Sequence, residues 1–174
     1  QGQNPVFFYG QAYMGSLDAY LAAIGFWIFG QSVWVIRLVQ GLLYLGVILT
    51  TVWLARIAYA SWWIAAIAAL LLAIPTVNMT LYTTASLGGY GEALLIGNFI
   101  LLITIVIQRH WRQAGLPGKW HHWALWGFLS GLGLWAFGIT LVYSAASLIY
   151  LGGYLLFRKP YLFGRDHSEK PVPT

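Results

Sequence analysis

The sequence predicts an all-α fold, a polytopic transmembrane helix bundle with a juxtamembrane helix on its outer face. Three observations carry this expectation. Of 174 residues, 60% are hydrophobic and 7% charged, with a mean hydropathy of +0.72, whereas soluble domains carry about a quarter charged residues. Apolar runs approaching or exceeding the about 20 residues needed to cross about 30 Å of hydrocarbon recur along the chain. The nine Lys and Arg cluster mainly between those runs, as cytoplasmic anchors do. A net charge of +5 does not here imply a nucleic-acid partner, because no extended basic face exists for a phosphate backbone to follow. The chain has no cysteine, which excludes disulfides and thiolate chemistry.

Residues 1–32 are expected to form an extracytoplasmic loop with an interfacial helix, residues 33–157 a transmembrane bundle of about five helices, and residues 158–174 a disordered cytoplasmic tail or loop. Within the first segment, the apolar stretch 16–29 has 14 residues, about 21 Å of helix. That is too short to cross and suits a helix lying in the interface. Spans are expected at 33–55, 62–82 and 91–107. The apolar stretch 123–157, interrupted near Phe137-Gly138, suits two helices forming a hairpin.

Orientation follows from the cations. The loop from Arg109 to Lys119 and the tail from Arg158 to Lys170 hold most of the Lys and Arg, so both are expected in the cytoplasm. Counting spans backwards from them places residues 83–92, and everything before Val33, on the extracytoplasmic side. The chain opens at Gln1 without Met or a signal-like run and is expected to be an internal piece of a longer protein.

Only four acids occur, and two of them, Asp18 and Glu92, fall at the edges of apolar runs. A carboxylate beside hydrocarbon is costly enough to suggest a function, and the span count, which used neither acid, puts both on one side. They are the candidate catalytic residues. Asp18 has a structural explanation as well: it follows Ser16, an acceptable N-cap, and sits in a first helical turn, where the dipole favours an acid. Glu92 follows Gly88-Gly89-Tyr90-Gly91, glycines that permit unusual dihedrals or close approach. An acid at such a helix start opposes an anion, so Glu92 suits a hydroxyl, a cation or a metal better than a phosphate.

The candidate substrate-binding residues are Asn4, Tyr9, Gln11 and Tyr13, which would line a polar pocket, together with Tyr90 and Arg37. The Arg37 guanidinium, with Gln40 one turn along the same helix, could grip a lipid-borne phosphate, although a snorkelling Arg is an equal reading. His110, His121 and His122 match no zinc spacing and suit a basic interfacial loop. No metal ligand or cofactor is assigned, and dependence on a divalent ion stays open.

Asn4-Pro5-Val6-Phe7-Phe8-Tyr9, the helix closing on Ile28-Phe29-Gly30-Gln31-Ser32, and Val35-Ile36-Arg37-Leu38 resemble the polyprenyl-phosphate-sugar-dependent GT-C glycosyltransferases. The resemblance is to bacterial members related to protein O-mannosyltransferases and lipid A aminoarabinose transferases. Leu54-Ala55-Arg56, Ile74-Pro75 and Gly131-Leu132-Gly133-Leu134-Trp135 extend it from Asn4 to about Lys159. It implies a bacterial plasma-membrane enzyme with an extracytoplasmic site. The implied donor is a polyprenyl-phosphate-linked sugar and the acceptor a lipid, glycan or protein, with membrane lipid as surroundings. It further implies a main catalytic carboxylate upstream of Gln1, with Asn4 and Arg37 near the lipid phosphate. The chain differs from the family in its Gly-Gly-Tyr-Gly-Glu segment and in an insertion at residues 10–16. Two other classes fit the composition: a transporter or channel with Asp18 and Glu92 as ion or proton sites, and a structural membrane subunit in which both acids are replaceable.

Overall fold

The computed structural model describes residues 6–8, 11–77, 80–81, 88–114 and 119–163. A two-stranded antiparallel hairpin, β1 (Phe7–Phe8) and β2 (Gln11–Gly15), leads into α1 (Leu17–Phe29). The helices α2 (Val33–Tyr59), α3 (Trp62–Ala73), α4 (Tyr90–Ala114), α5 (Trp120–Ala136) and α6 (Leu141–Phe163) follow, with a 3-10 turn at Gly138–Thr140 joining the last two. The fold is an all-α bundle with three helices long and apolar enough to cross a membrane: Val33–Tyr59, Tyr90–Arg112 and Gly138–Leu156. α1 is a short apolar helix of 13 residues, as its length in the sequence predicts.

α4 is the central helix, packed against α2, α5 and α6. In its spanning window 56% of residues are buried, against 22% in α2 and in α6, so most of the apolar surface of those two faces outward. Leu45, Leu49 and Trp53 of α2 and Val142 and Ile149 of α6 are exposed, the arrangement expected where lipid, not protein, is the neighbour. The buried core is correspondingly thin. Ile96, Ile100 and Ala136 form one cluster, and Ile103, Ile107 and Leu151 another further along α4.

Because lipid supplies no hydrophobic force between helices, polar contacts and close packing hold them together. Asn98 Nδ2 of α4 donates to the hydroxyls of Thr50 and Thr51, both at 2.9 Å, and to the Val47 carbonyl at 3.3 Å on α2. Trp126 Nε1 of α5 donates to Thr104 Oγ1 of α4 at 3.1 Å, and Ser144 of α6 donates to Ser130 of α5 at 3.0 Å. Asn98→Leu removes both α2 hydroxyls' partner while keeping bulk. It is expected to weaken the bundle by about 1 kcal/mol, in the range measured for interhelical polar contacts, read as a lower unfolding midpoint in detergent.

Two segments depart from the sequence expectation. The span predicted over 62–82 is broken: α3 ends at Ala73, and Ile74 adopts φ −110°, ψ 75°. Pro75 is the cause, since its ring disfavours a helical residue before it and it offers no N–H. Helical turn resumes beyond it, where the Thr80 N–H donates to the Thr76 carbonyl at 2.9 Å. One of the carbonyls orphaned by the break, that of Leu72, accepts the Tyr44 hydroxyl of α2. Residues 158–163, expected in the disordered tail, are instead the last turns of α6.

The other boundaries follow local chemistry. α2 starts at Ser32, whose hydroxyl accepts from the Val35 N–H. It runs four residues past the expected end, to Tyr59, and Ala60 turns the chain in the left-handed region at φ 54°. The interruption at Phe137-Gly138 separates α5 from α6 where the sequence placed it.

Candidate functional site

The two acids lie at the end of the bundle where α1, α2 and α4 converge. Asp18 is in the first turn of α1 and Glu92 in the first turn of α4, and they are 2% and 3% exposed. Gln40, two turns into α2 and equally buried, donates its amide to Asp18 Oδ1. The Asp18 and Glu92 carboxyls are close enough to interact. Glu92 Oε1 is buried without a hydrogen-bond partner.

Local sequence explains how Glu92 is held. Gly88 and Gly89 take φ values of 86° and 62°, the left-handed region that favours glycine. A Cβ on Gly89 would lie 3.2 Å from Phe137 Cβ and 3.3 Å from the Ala136 carbonyl. The close approach for which glycine is needed is therefore to the α5–α6 junction. A Cβ on Gly91 would lie 3.6 Å from Gln40 Oε1, an ordinary van der Waals contact.

Phe137 is the hub of this end of the bundle. Tyr90 meets it edge-on at 4.8 Å between centroids and Tyr13 lies tilted against it at 6.2 Å. Met14 forms an isolated backbone bridge with it. The hairpin is tied down beside this ring: Trp135 Nε1 donates to the Val6 carbonyl at 3.2 Å, and Gly15 sits where a Cβ would be 2.5 Å from the Trp135 carbonyl. Ser16 occupies the N-cap position of α1 but makes no side-chain cap. Its hydroxyl donates instead to the Val6 carbonyl at 3.2 Å, which fastens the hairpin to the start of the Asp18 helix.

The structure brings Asp18 and Glu92 together and sets Tyr90 two residues away. Tyr13 is at the same end but 64% exposed. Arg37 is exposed, whereas Gln40, three residues along α2, is buried. Gln11 is described through its backbone alone, in β2. Asn4 and Tyr9 lie outside the described residues. His110, His121 and His122 stack edge to face, with centroids 5.0 Å apart for His110 and His122 and 4.4 Å for His121 and His122. Among the described residues no group of three or more His, Cys, Asp or Glu is arranged to hold a metal ion.

Sequence reasoning missed the role of Gln40 as the partner of Asp18, and of Phe137 as the ring against which the Glu92 loop packs. Compared with known proteins, the chain matches no family model, no curated protein and no solved structure.

Proposed function

We propose that this chain forms part of a membrane glycosyltransferase that moves a sugar from a polyprenyl-phosphate donor to an acceptor hydroxyl at the extracytoplasmic face of a bacterial plasma membrane. The observation supporting it is the buried Asp18–Gln40–Glu92 cluster, with Glu92 Oε1 unpartnered, beside the segments that carry the GT-C resemblance. In this reading a carboxylate takes the proton of the acceptor hydroxyl as its oxygen bonds to the anomeric carbon, and the bond from that carbon to the lipid phosphate breaks. Cations stabilise the departing phosphate, a role for which Arg37 is suited by its forked donors and its exposure at the lipid boundary. Both carboxyls are buried, so the acceptor requires local opening of the hairpin end. The acid pair would orient the acceptor or take its proton.

A second reading is favoured by the same enclosure. A close carboxyl pair with one free oxygen also suits a proton or cation site of a transporter. Reconstitution of the complete protein in vesicles with a polyprenyl-phosphate sugar separates the two. Sugar transfer without ion flux supports the enzyme, whereas proton or cation flux without transfer replaces it with transport.

Sidedness is tested separately. Ala85→Cys is expected to react with an impermeant thiol reagent added from outside, and Ala114→Cys, in the last turn of α4, is not. The opposite labelling would place the acid pair in the cytoplasm and sink the extracytoplasmic site.

A further inference from the structure

At the other end of α4, away from the acids, a cavity of about 520 Å³ opens between α2, α4 and α6. Its walls are apolar along Leu54 of α2 and Leu101 and Ile105 of α4. It is roomy because α2 presents Ala58, and α6 presents Ala146 and Ser147, where larger side chains would close it. One end is polar and cationic, lined by Gln108, Arg109 and Arg112. Arg109 Nη2 donates to the Ile57 carbonyl at 3.0 Å, which uses one of its five N–H groups and aligns the basic ends of α2 and α4.

The dimensions are those of one leaflet. From Leu101 to Arg112 is about 16 Å of helix, and Leu101 is midway along the spanning stretch Tyr90–Arg112. The groove therefore runs from the bilayer centre to its surface, about half of a 30 Å hydrocarbon core. A phosphodiester at the arginine end would meet forked donors suited to it, with its acyl chain lying on the apolar wall. Asp18 and Glu92 are at the opposite end of the bundle, and the other two acids, Asp166 and Glu169, follow α6 in the sequence. By the charge rule that orients the chain, the arginine end faces the cytoplasm.

We propose that this groove is a binding site for an anionic phospholipid of the cytoplasmic leaflet, with Arg109 and Arg112 holding the headgroup phosphate and one acyl chain lying between α2, α4 and α6. The site does not depend on the sugar-transfer reading. It would anchor three helices to one another at the end of the bundle where α4 carries its cations.

Native mass spectrometry of the full chain, released from micelles containing equal amounts of dioleoyl phosphatidylglycerol and dioleoyl phosphatidylcholine, tests it. The phosphatidylglycerol adduct is expected to dominate. Arg109→Gln with Arg112→Gln is expected to weaken its retention about tenfold or more, the loss that follows removal of charge-assisted hydrogen bonds, while Arg109→Lys with Arg112→Lys keeps part of it. Ala146→Phe keeps both arginines and fills the groove, and is expected to lower retention as well, with helix content unchanged by circular dichroism. Equal retention of the two lipids overturns the proposal. So does full retention by Ala146→Phe, which would mean an open basic surface. Displacement by inorganic phosphate at matched concentration would mean a headgroup-only anion site and also overturns it. Increased retention in Asp166→Asn with Glu169→Gln would show that the tail's own acids hold the arginines, and sinks it in the same way.

Discussion

Glu92→Gln in the complete protein is expected to lower the rate of sugar transfer about 10²-fold or more, the scale of general acid–base assistance, equivalent to about 2.7 kcal/mol of transition-state stabilisation. The substitution keeps the side chain's size. Its amide still donates to Asp18, so the packing of α1 against α4 has no reason to fail. What it removes is the charge and one of the two equivalent oxygens, including the capacity of the unpartnered Oε1 to accept a proton. Asp18→Asn is expected to cost less, because its remaining carbonyl oxygen still accepts from Gln40 and the position is partly explained by the start of α1. Gln40→Leu should fall between them. It leaves both acids in place but releases Asp18, so its effect is positional and should be rescued in part by Gln40→Asn. The measurement is initial transfer rate at saturating donor, with thermal unfolding as a control for folding. Normal transfer by a protein carrying both Glu92→Gln and Asp18→Asn would make the cluster scaffolding and leave the chemistry to residues outside this chain. Under the transport alternative the same Glu92→Gln protein would lose coupled flux and the parent would transfer no sugar.

The sequence carried the coarse architecture because that architecture depends on composition and run length, which a linear reading measures directly. α2 and α4 begin where Val33 and Tyr90-Gly91 begin their apolar runs, and the Phe137-Gly138 interruption became the junction of α5 and α6. The run over 62–82 misled because apolar content was weighed above Pro75, whose effect on the preceding residue is local and does not depend on hydropathy. Counting spans put Asp18 and Glu92 on one side, and the structure buries both in first helical turns, close enough to interact. The partner of that pair was not legible. Gln40 is 22 residues from Asp18, and which face of α2 turns towards α1 is decided by packing, including Gly25 against Val35 and Val39, not by the period of α2 itself. Asn98 was passed over for the same reason. An amide in an apolar helix gains meaning only once Thr50 and Thr51 are known to stand opposite it.

Gly89→Ala is expected to disturb the acid pair, because it meets two independent obstacles. At φ 62° a residue with a Cβ pays about 1–2 kcal/mol for the left-handed conformation. The new methyl would also press on Phe137 Cβ at 3.2 Å and on the Ala136 carbonyl at 3.3 Å, and backbone oxygen cannot rotate away as a side chain can. Overpacking of this kind costs about 1–3 kcal/mol, giving a combined loss of about 2–5 kcal/mol if the two add. Gly30 supplies the comparison. Its φ is also positive, 83° with ψ 163°, a region almost confined to glycine, but a Cβ there has nothing within 4 Å, so Gly30→Ala should pay a backbone cost alone, about 1–3 kcal/mol. A loss at Gly89 beyond that at Gly30 in detergent therefore reports the contact with the α5–α6 junction. Relief of that contact would pull Tyr90 off the Phe137 ring and shift Glu92 with it. Gly89→Ala should accordingly lower both stability and whichever activity the acid pair supports, while Gly30→Ala lowers stability only. Equal losses at the two positions would mean that Phe137 yields freely and that the junction does not set the position of Glu92.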